Sequence, residues 1–153
     1  MKTIVVTGTS SGIGNEICIQ AAKLNYKVIS ISRNVEPLKG INGIDSYSVD
    51  ITDENSIKNF IDDLQNRDLK VDILVNNAGI AMSAPDSLET NDWLAIWEET
   101  LAVNTTALGI LCKEFIDLAL PNQQGRIINI SSRAAFRGDT TDYIAYGASK
   151  AAI

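Results

Sequence analysis

A loop with spaced glycines, set between a short apolar strand and a helix, limits the fold of this chain more than any other feature. Thr3 to Val6 is β-branched and apolar, the pattern of a parallel strand buried on both faces. Thr7-Gly8-Thr9-Ser10-Ser11-Gly12-Ile13-Gly14 follows at once, and Gly12 to Leu24 then reads as a helix with Ile13, Ile17, Ala21 and Leu24 on one stripe. In this context the spacing has a physical meaning. Gly8 permits a tight turn, Gly12 lets backbone approach a pyrophosphate, and Gly14 lets the helix lie close to the strand. The helix N-terminus offers free N–H groups and a positive dipole end to phosphates, with Ser10, Ser11 and Ile13 at the same opening. A dinucleotide site is therefore expected; the alternative is that the glycines only interrupt the loop. No Gly-Lys-Ser/Thr follows, so the loop is not a P-loop.

The same alternation continues along the chain. Strands are predicted over Lys27 to Ile31, Ile44 to Val49, Val71 to Val75 and Arg126 to Ile130. Residues 33 to 43, with Pro37, Gly40 and Gly43, read as a turn with at most a short helix. Thr52 is predicted to cap a helix running to Asn66, with Ile57, Phe60, Ile61 and Leu64 turned inward. After a loop to Glu89, a helix over Asn91 to Glu99 is predicted to merge into Leu101 to Leu118, with Leu101, Thr105, Leu108, Cys112 and Phe115 as its stripe. The last helix begins near Asp142 or Tyr143. Repeated strand–helix units with near-continuous apolar strands indicate an α/β fold: a doubly wound parallel sheet between two helical layers, as one domain over residues 1–153.

Composition narrows the partners. A formal net charge of -6 with no basic run argues against nucleic acid. The absence of histidine excludes a histidine nucleophile relay and a histidine-ligated metal site, and no metal is expected. No apolar run is long enough to span a membrane, and nothing resembles a signal peptide. Cys18 and Cys112 read as buried free thiols rather than a disulfide, which fits a reducing, cytoplasmic setting.

Near the end of the chain, Tyr146-Gly147-Ala148-Ser149-Lys150 puts a phenol and an ammonium on one helix face about one turn apart. The phenol can donate a proton, and the ammonium can lower its pKa. Taken with Thr7-Gly8-x3-Gly12-Ile13-Gly14, Asn76-Asn77-Ala78-Gly79, Asn104 and Ile128-Asn129-Ile130-Ser131-Ser132, this set resembles the short-chain dehydrogenase/reductase family, from Lys2 to Ile153. The resemblance implies a Rossmann-like fold with strand order 3-2-1-4-5. It implies hydride transfer between a nicotinamide cofactor and a ketone or secondary alcohol.

By the same resemblance, the catalytic set is Asn104, Ser132, Tyr146 and Lys150. Tyr146 exchanges the proton. Lys150 lowers the tyrosine pKa and holds the nicotinamide ribose. Ser132 polarises the substrate oxygen, and Asn104 ties a water-linked proton path to Lys150. Ser132 lies one residue further from Tyr146 than is usual in the family; the extra residue is expected to bulge within Arg133 to Asp142, and Ser131 is the fallback. Asn77, Ala78 and Gly79 line the cofactor cleft. Asp50 accepts from the adenine amino group beside Ile51, unless it only starts the turn before Thr52. Ser32 and Arg33 stand where an acidic residue would bind a ribose 2′-hydroxyl, so NADP(H) is preferred and NAD(H) is the alternative; Arg33 as plain surface charge is the competing reading.

Members of the family continue past the Tyr-x-x-x-Lys helix with further strands and a substrate wall. The chain is therefore expected to be cut within its catalytic helix, with the C-terminal strands missing and the fifth strand uncovered. A nucleotide-binding fragment without turnover is the second functional expectation. The resemblance also implies a homodimer or homotetramer through Asn91 to Leu118 and the helix from Tyr143, where Trp93, Trp97, Leu101 and Phe115 offer excess apolar surface. The competing reading packs both tryptophans within the monomer.

Overall fold

Alternation along five short strands decides which helix lies on which face of the sheet. The computed structural model describes residues 1–119 and 125–153. Strands β1 (Thr3–Thr7), β2 (Lys27–Ser32), β3 (Ile44–Ser48), β4 (Ile73–Asn76) and β5 (Arg126–Asn129) form one parallel sheet in the order β3-β2-β1-β4-β5, as the family resemblance implies. Val5 is level with Ile29 and Leu74, while Val6 is level with Ser30 and Val75. Since neighbouring residues point to opposite faces, Val5, Ile29 and Leu74 join one core and Val6, Val28 and Val75 the other.

The first core is closed by α2 (Glu54–Asn66) and, after α3 (Thr90–Leu101), by α4 (Ala107–Leu118). Ile57, Phe60, Ile61 and Leu64 of α2 are buried there, as expected, together with Leu111 and Phe115 of α4. The second core is closed by α1 (Gly12–Lys23), through Cys18 and Ala21, and by Leu38 of a short 3₁₀ turn over Glu36–Leu38. Burial pushes the Cys18 thiol up to about 12, so it behaves as a small apolar group; Cys112 is also a free thiol and half-buried.

Several local expectations need correction. The α1 stripe is turned by one position: Gly14, Cys18 and Ala21 are buried, whereas Ile13 and Leu24 are exposed. Close contact at Gly14 sets that phase. Asp53 rather than Thr52 caps α2, its carboxylate accepting from the N–H groups of Asn55 and Ser56 at 3.1 and 3.2 Å. A carboxylate at that position meets the orphan donors and the helix dipole together, while Thr52 is held back by Asp50. Between α3 and α4 the helix widens to π form over Ala102–Thr106, with Ala107 N–H reaching the carbonyl of Ala102. The extra residue shifts the phase, so Thr100, Asn104, Ala107, Leu111 and Phe115 face inward instead of the predicted stripe, which shares only Phe115.

β4 begins later than expected and ends at Asn76, since Val71 is buried before the ladder starts. A four-residue helix α5 (Ala134–Arg137) and a 3₁₀ turn over Thr141–Tyr143 precede α6 (Ile144–Ala152). They take up the stretch in which the extra residue was expected. β5 carries exposed Ile127 and Ile128 on its two faces. Among the described residues, no helix is long and apolar enough to cross a membrane, and no group of His, Cys, Asp and Glu could hold a metal.

Candidate active site

The sheet reverses its strand order at β1 and β4, and a cleft of about 410 Å³ opens above their C-terminal ends. Open α/β sheets offer a binding crevice at such a switch point. Its floor is built by bonds between the two strand ends. Thr7 Oγ1 accepts from the N–H groups of Asn77 and Ala78 at 3.1 and 3.0 Å, and Asn77 Nδ2 donates to the carbonyls of Thr7 and Gly8. Gly8 turns with φ +69°, and a Cβ there would stand 2.6 Å from Ala78 Cα. A Cβ on Gly14 would overlap Asn77 Nδ2 and stand 2.5 Å from the Gly8 carbonyl oxygen. Gly14→Ala is therefore expected to lower stability by about 1–3 kcal/mol, as overpacking against backbone does; denaturant unfolding of the two proteins checks this.

Gly8, Ser10, Ser11 and Ile13 form one wall of the cleft, with Gly12 and Gly14 behind them in α1. Ser11 precedes α1 without a side-chain cap bond, so its hydroxyl and the first N–H groups of the helix are free to receive an anion. Ser32, Arg33, Asp50 and Ile51 line the β2–β3 end, and Asn77, Ala78 and Gly79 the β4 end. Asp50 starts the turn before Thr52. Its Oδ1 accepts from Thr52 N–H and Oγ1 at 2.9 and 2.7 Å, which hold its carboxyl below the usual range, and it also lines the cleft. Glu99 and Val103 of the α3–α4 segment, together with Ile80, complete the wall. Sequence reading passed over them, although Val103 adjoins Asn104 and Glu99 lies one turn and a half before it.

Two of the remaining candidates, Asn104 and Lys150, meet beside Gly79. A Cβ on that residue would lie 3.1 Å from Lys150 Nζ and 3.3 Å from Asn104 Oδ1. Lys150 is 5% exposed, donates to the Ile130 carbonyl at 3.0 Å, and sits 5.9 Å from the centre of the Tyr146 ring. Burial pulls its amine below the ordinary lysine range. Tyr146 is half-buried. Asn104, fully buried, spends its carboxamide on neighbours other than Lys150: Oδ1 accepts from Ile80 N–H at 2.8 Å, and Nδ2 donates to the Ile80 carbonyl at 2.8 Å and to Ser149 Oγ at 2.9 Å.

The two serines separate clearly. Ser131 Oγ donates to the Lys150 carbonyl at 3.0 Å, so its only proton is used to hold α6. Ser132 Oγ accepts from Ala134 N–H at 3.2 Å and keeps its proton for another acceptor. None of Asn104, Ser132, Tyr146 and Lys150 lines the cleft wall itself; Gly79 lies between the wall and the first and last of them.

Residues 2–153 match the family model described as short chain dehydrogenase. The chain is 32% identical to a 3beta-hydroxysteroid dehydrogenase of Mediterraneibacter gnavus, over 99% of this chain and 56% of that protein. It is 31% identical to a 3-oxoacyl-[acyl-carrier-protein] reductase of Buchnera aphidicola, over 99% of this chain and 63% of that one. Among solved structures, a 4-hydroxyisoleucine dehydrogenase complexed with NADH superposes with a TM-score of 0.88 at 27% identity, over 99% of this chain and 64% of the other. The chain thus spans between about half and two thirds of the length of these proteins.

Proposed function

The chain belongs to the short-chain dehydrogenase family, and on that footing we propose that the protein is an oxidoreductase moving a hydride between NADP(H) and a ketone or secondary alcohol. One observation carries this: Tyr146 and Lys150 share a face of α6, with the ammonium 5.9 Å from the phenol ring and anchored on the Ile130 carbonyl. The names of the relatives, a hydroxysteroid dehydrogenase and an oxoacyl reductase, support a hydroxyl–carbonyl pair as the reacting group.

The donor set fits a nicotinamide dinucleotide. The free α1 N-terminus and Ser11 suit a pyrophosphate, Asp50 with Ile51 suits the adenine, and Lys150 beside Gly79 suits the far ribose. The cofactor, when bound, supplies or takes up the hydride. For reduction, Tyr146 gives its proton to the carbonyl oxygen as charge develops there. Ser132 donates its unspent hydrogen bond to the same oxygen. Lys150 lies where an ammonium stabilises the phenolate left behind. Asn104 holds the loop at Ile80 and α6 in one arrangement, so a path from it to Lys150 crosses the space that Gly79 leaves open. Purified full-length protein tested with NADPH and NADH over a panel of ketones and secondary alcohols should show cofactor-dependent absorbance change; binding without turnover across the panel would leave the nucleotide-binding reading in its place. That second reading draws on the absence of Ser132 and Tyr146 from the cleft wall.

The NADP(H) preference rests on Arg33, which lines the cleft at the end of β2 where no acidic residue stands. Arg33→Ala should weaken NADPH binding by about 1–3 kcal/mol and leave NADH nearly unchanged. Ser32→Asp should reverse the preference by repelling the phosphate and offering the hydroxyl an acceptor. Titration of both cofactors checks this; equal losses in Arg33→Ala would make Arg33 a general support of the fold.

Self-association through α3, α4 and α6 belongs to the same proposal. Trp93 and Trp97 are stacked at 5.4 Å and only half-buried, as is Leu101, and Leu94, Ile116 and Ile144 are exposed, whereas Phe115, expected on this surface, is buried in the monomer core. Light scattering at low micromolar concentration should report a dimer or tetramer, and a monomer would refute it. The free thiols Cys18 and Cys112 suit a reducing, cytoplasmic setting.

A further inference from the structure

We infer that Ser149 is a positioning residue for this site, holding the Asn104 carboxamide and the Tyr146–Lys150 helix in one fixed relation. The inference rests on the oxidoreductase reading only for its kinetic consequences. Ser149 is 0% exposed. Its hydroxyl has one proton, which goes to the Tyr146 carbonyl at 2.8 Å. Towards Asn104 it must therefore accept, and it does so from Nδ2 at 2.9 Å. The direction of every bond in the group follows. Nδ2 spends both protons, on Ser149 Oγ and on the Ile80 carbonyl, while Oδ1 is fixed by the Ile80 N–H.

A serine inside a helix commonly bonds back to a carbonyl of its own turn, and that bond alone would make Ser149 an ordinary helical residue. The bond to Asn104 is different because it crosses between elements. It joins α6 to the π-helical stretch Ala102–Thr106, and Thr105 Oγ1 adds a weaker tie to the Ser149 carbonyl at 3.4 Å. The same stretch carries Val103, which lines the cleft, and Asn104 Oδ1 faces Gly79 beside Lys150 Nζ. Ser149 thus stands between the two side chains of the Tyr-x-x-x-Lys pair in sequence and couples both to the cleft in space. Without its acceptor, Asn104 Nδ2 keeps a buried unpaired proton, and α6 loses its cross-tie at the turn where Tyr146 and Lys150 are set.

The test uses the full-length protein with Ser149→Ala, Asn104→Ala and the double variant. Ser149→Ala should lower kcat about tenfold to a hundredfold, the range a small misplacement of reacting groups produces, with the NADPH Kd within about twofold of wild type. In the Asn104→Ala background the same substitution should change kcat by less than about twofold, because the two residues act as one unit. Independent multiplicative losses, or a parallel loss of cofactor binding, would overturn the inference. Amide hydrogen exchange gives an arm that needs no turnover. The Ile80 N–H touches Asn104 but not Ser149, and Ser149→Ala should speed its exchange relative to the α6 amides; unchanged exchange there overturns the inference. If the wild type binds cofactor but turns over nothing, the oxidoreductase reading fails while the exchange arm still decides this one. If the alanine variant does not fold, Ser149→Cys keeps the size with a weaker acceptor: lowered kcat and faster Ile80 exchange support the assignment, and wild-type values for both refute it.

Discussion

Tyr146→Phe should reduce kcat by about 10²–10⁴-fold, the range expected for losing a positioned general acid, while cofactor affinity stays near wild type. The substitution removes one oxygen and keeps the ring that lies beside Lys150. No hydrogen bond from the Tyr146 hydroxyl holds any element of the described structure together; the residue's ties to the fold run through its carbonyl, which accepts from Ser149. Melting temperature should therefore hardly move. Steady-state kinetics and a cofactor titration on the same two preparations separate the outcomes. Equal turnover by both proteins would sink the role given to the phenol.

Lys150→Met should reduce kcat by about 10²–10³-fold, as losing one positioned electrostatic partner does, yet leave the protein at least as stable near neutral pH. Two effects compete. Methionine gives up the bond to the Ile130 carbonyl, worth about 1 kcal/mol net. It also relieves the burial of an ammonium that is 5% exposed and paired with no carboxylate among the described residues, a burial that disfavours the charged form. Together with the apolar surface that methionine buries in the same place, this offsets the lost bond. The sign of the burial effect with pH follows from the lowered amine value. The unfolded chain holds that proton more tightly than the folded one, so the penalty is complete below the lowered value and fades as pH rises towards the ordinary lysine value of about 10.4. The advantage of the methionine protein in denaturant unfolding should accordingly shrink on going from neutral to alkaline pH. An advantage that grows with pH would contradict the assignment of cause.

Much of this architecture is legible in the sequence because the signals are local and redundant. The strands are short β-branched runs, and α2 announces its buried face through Ile57, Phe60, Ile61 and Leu64. The strand order was available only through the family likeness, since no local pattern says which strand lies next to β1. Three things were illegible for physical reasons. The π-helical insertion at Ala102–Thr106 leaves no mark in hydrophobic spacing until the phase beyond it has shifted. The cap of α2 lies with Asp53 rather than adjacent Thr52, whose hydroxyl is bonded to Asp50. Ser149 looks like filler between Tyr146 and Lys150, because its partner lies 45 positions away. At the site, the motifs named Asn104 and Lys150, which meet at Gly79, whereas Glu99 and Val103 in the cleft wall belong to no motif at all.

The bonds from Asn77 and Ala78 to Thr7 span 70 and 71 positions of sequence. Loop closure over such a distance is slow and entropically costly, so the cleft comes into being only when β4 has docked beside β1 and the sheet is nearly finished. A dinucleotide therefore finds nothing to bind in a half-folded chain. On the proposed function, its binding would draw the population towards the completed fold, by about 2.7 kcal/mol at a hundred times Kd. In a cell, the supply of nucleotide would then set how long a newly made molecule escapes proteolysis, quite apart from whether it ever meets a substrate.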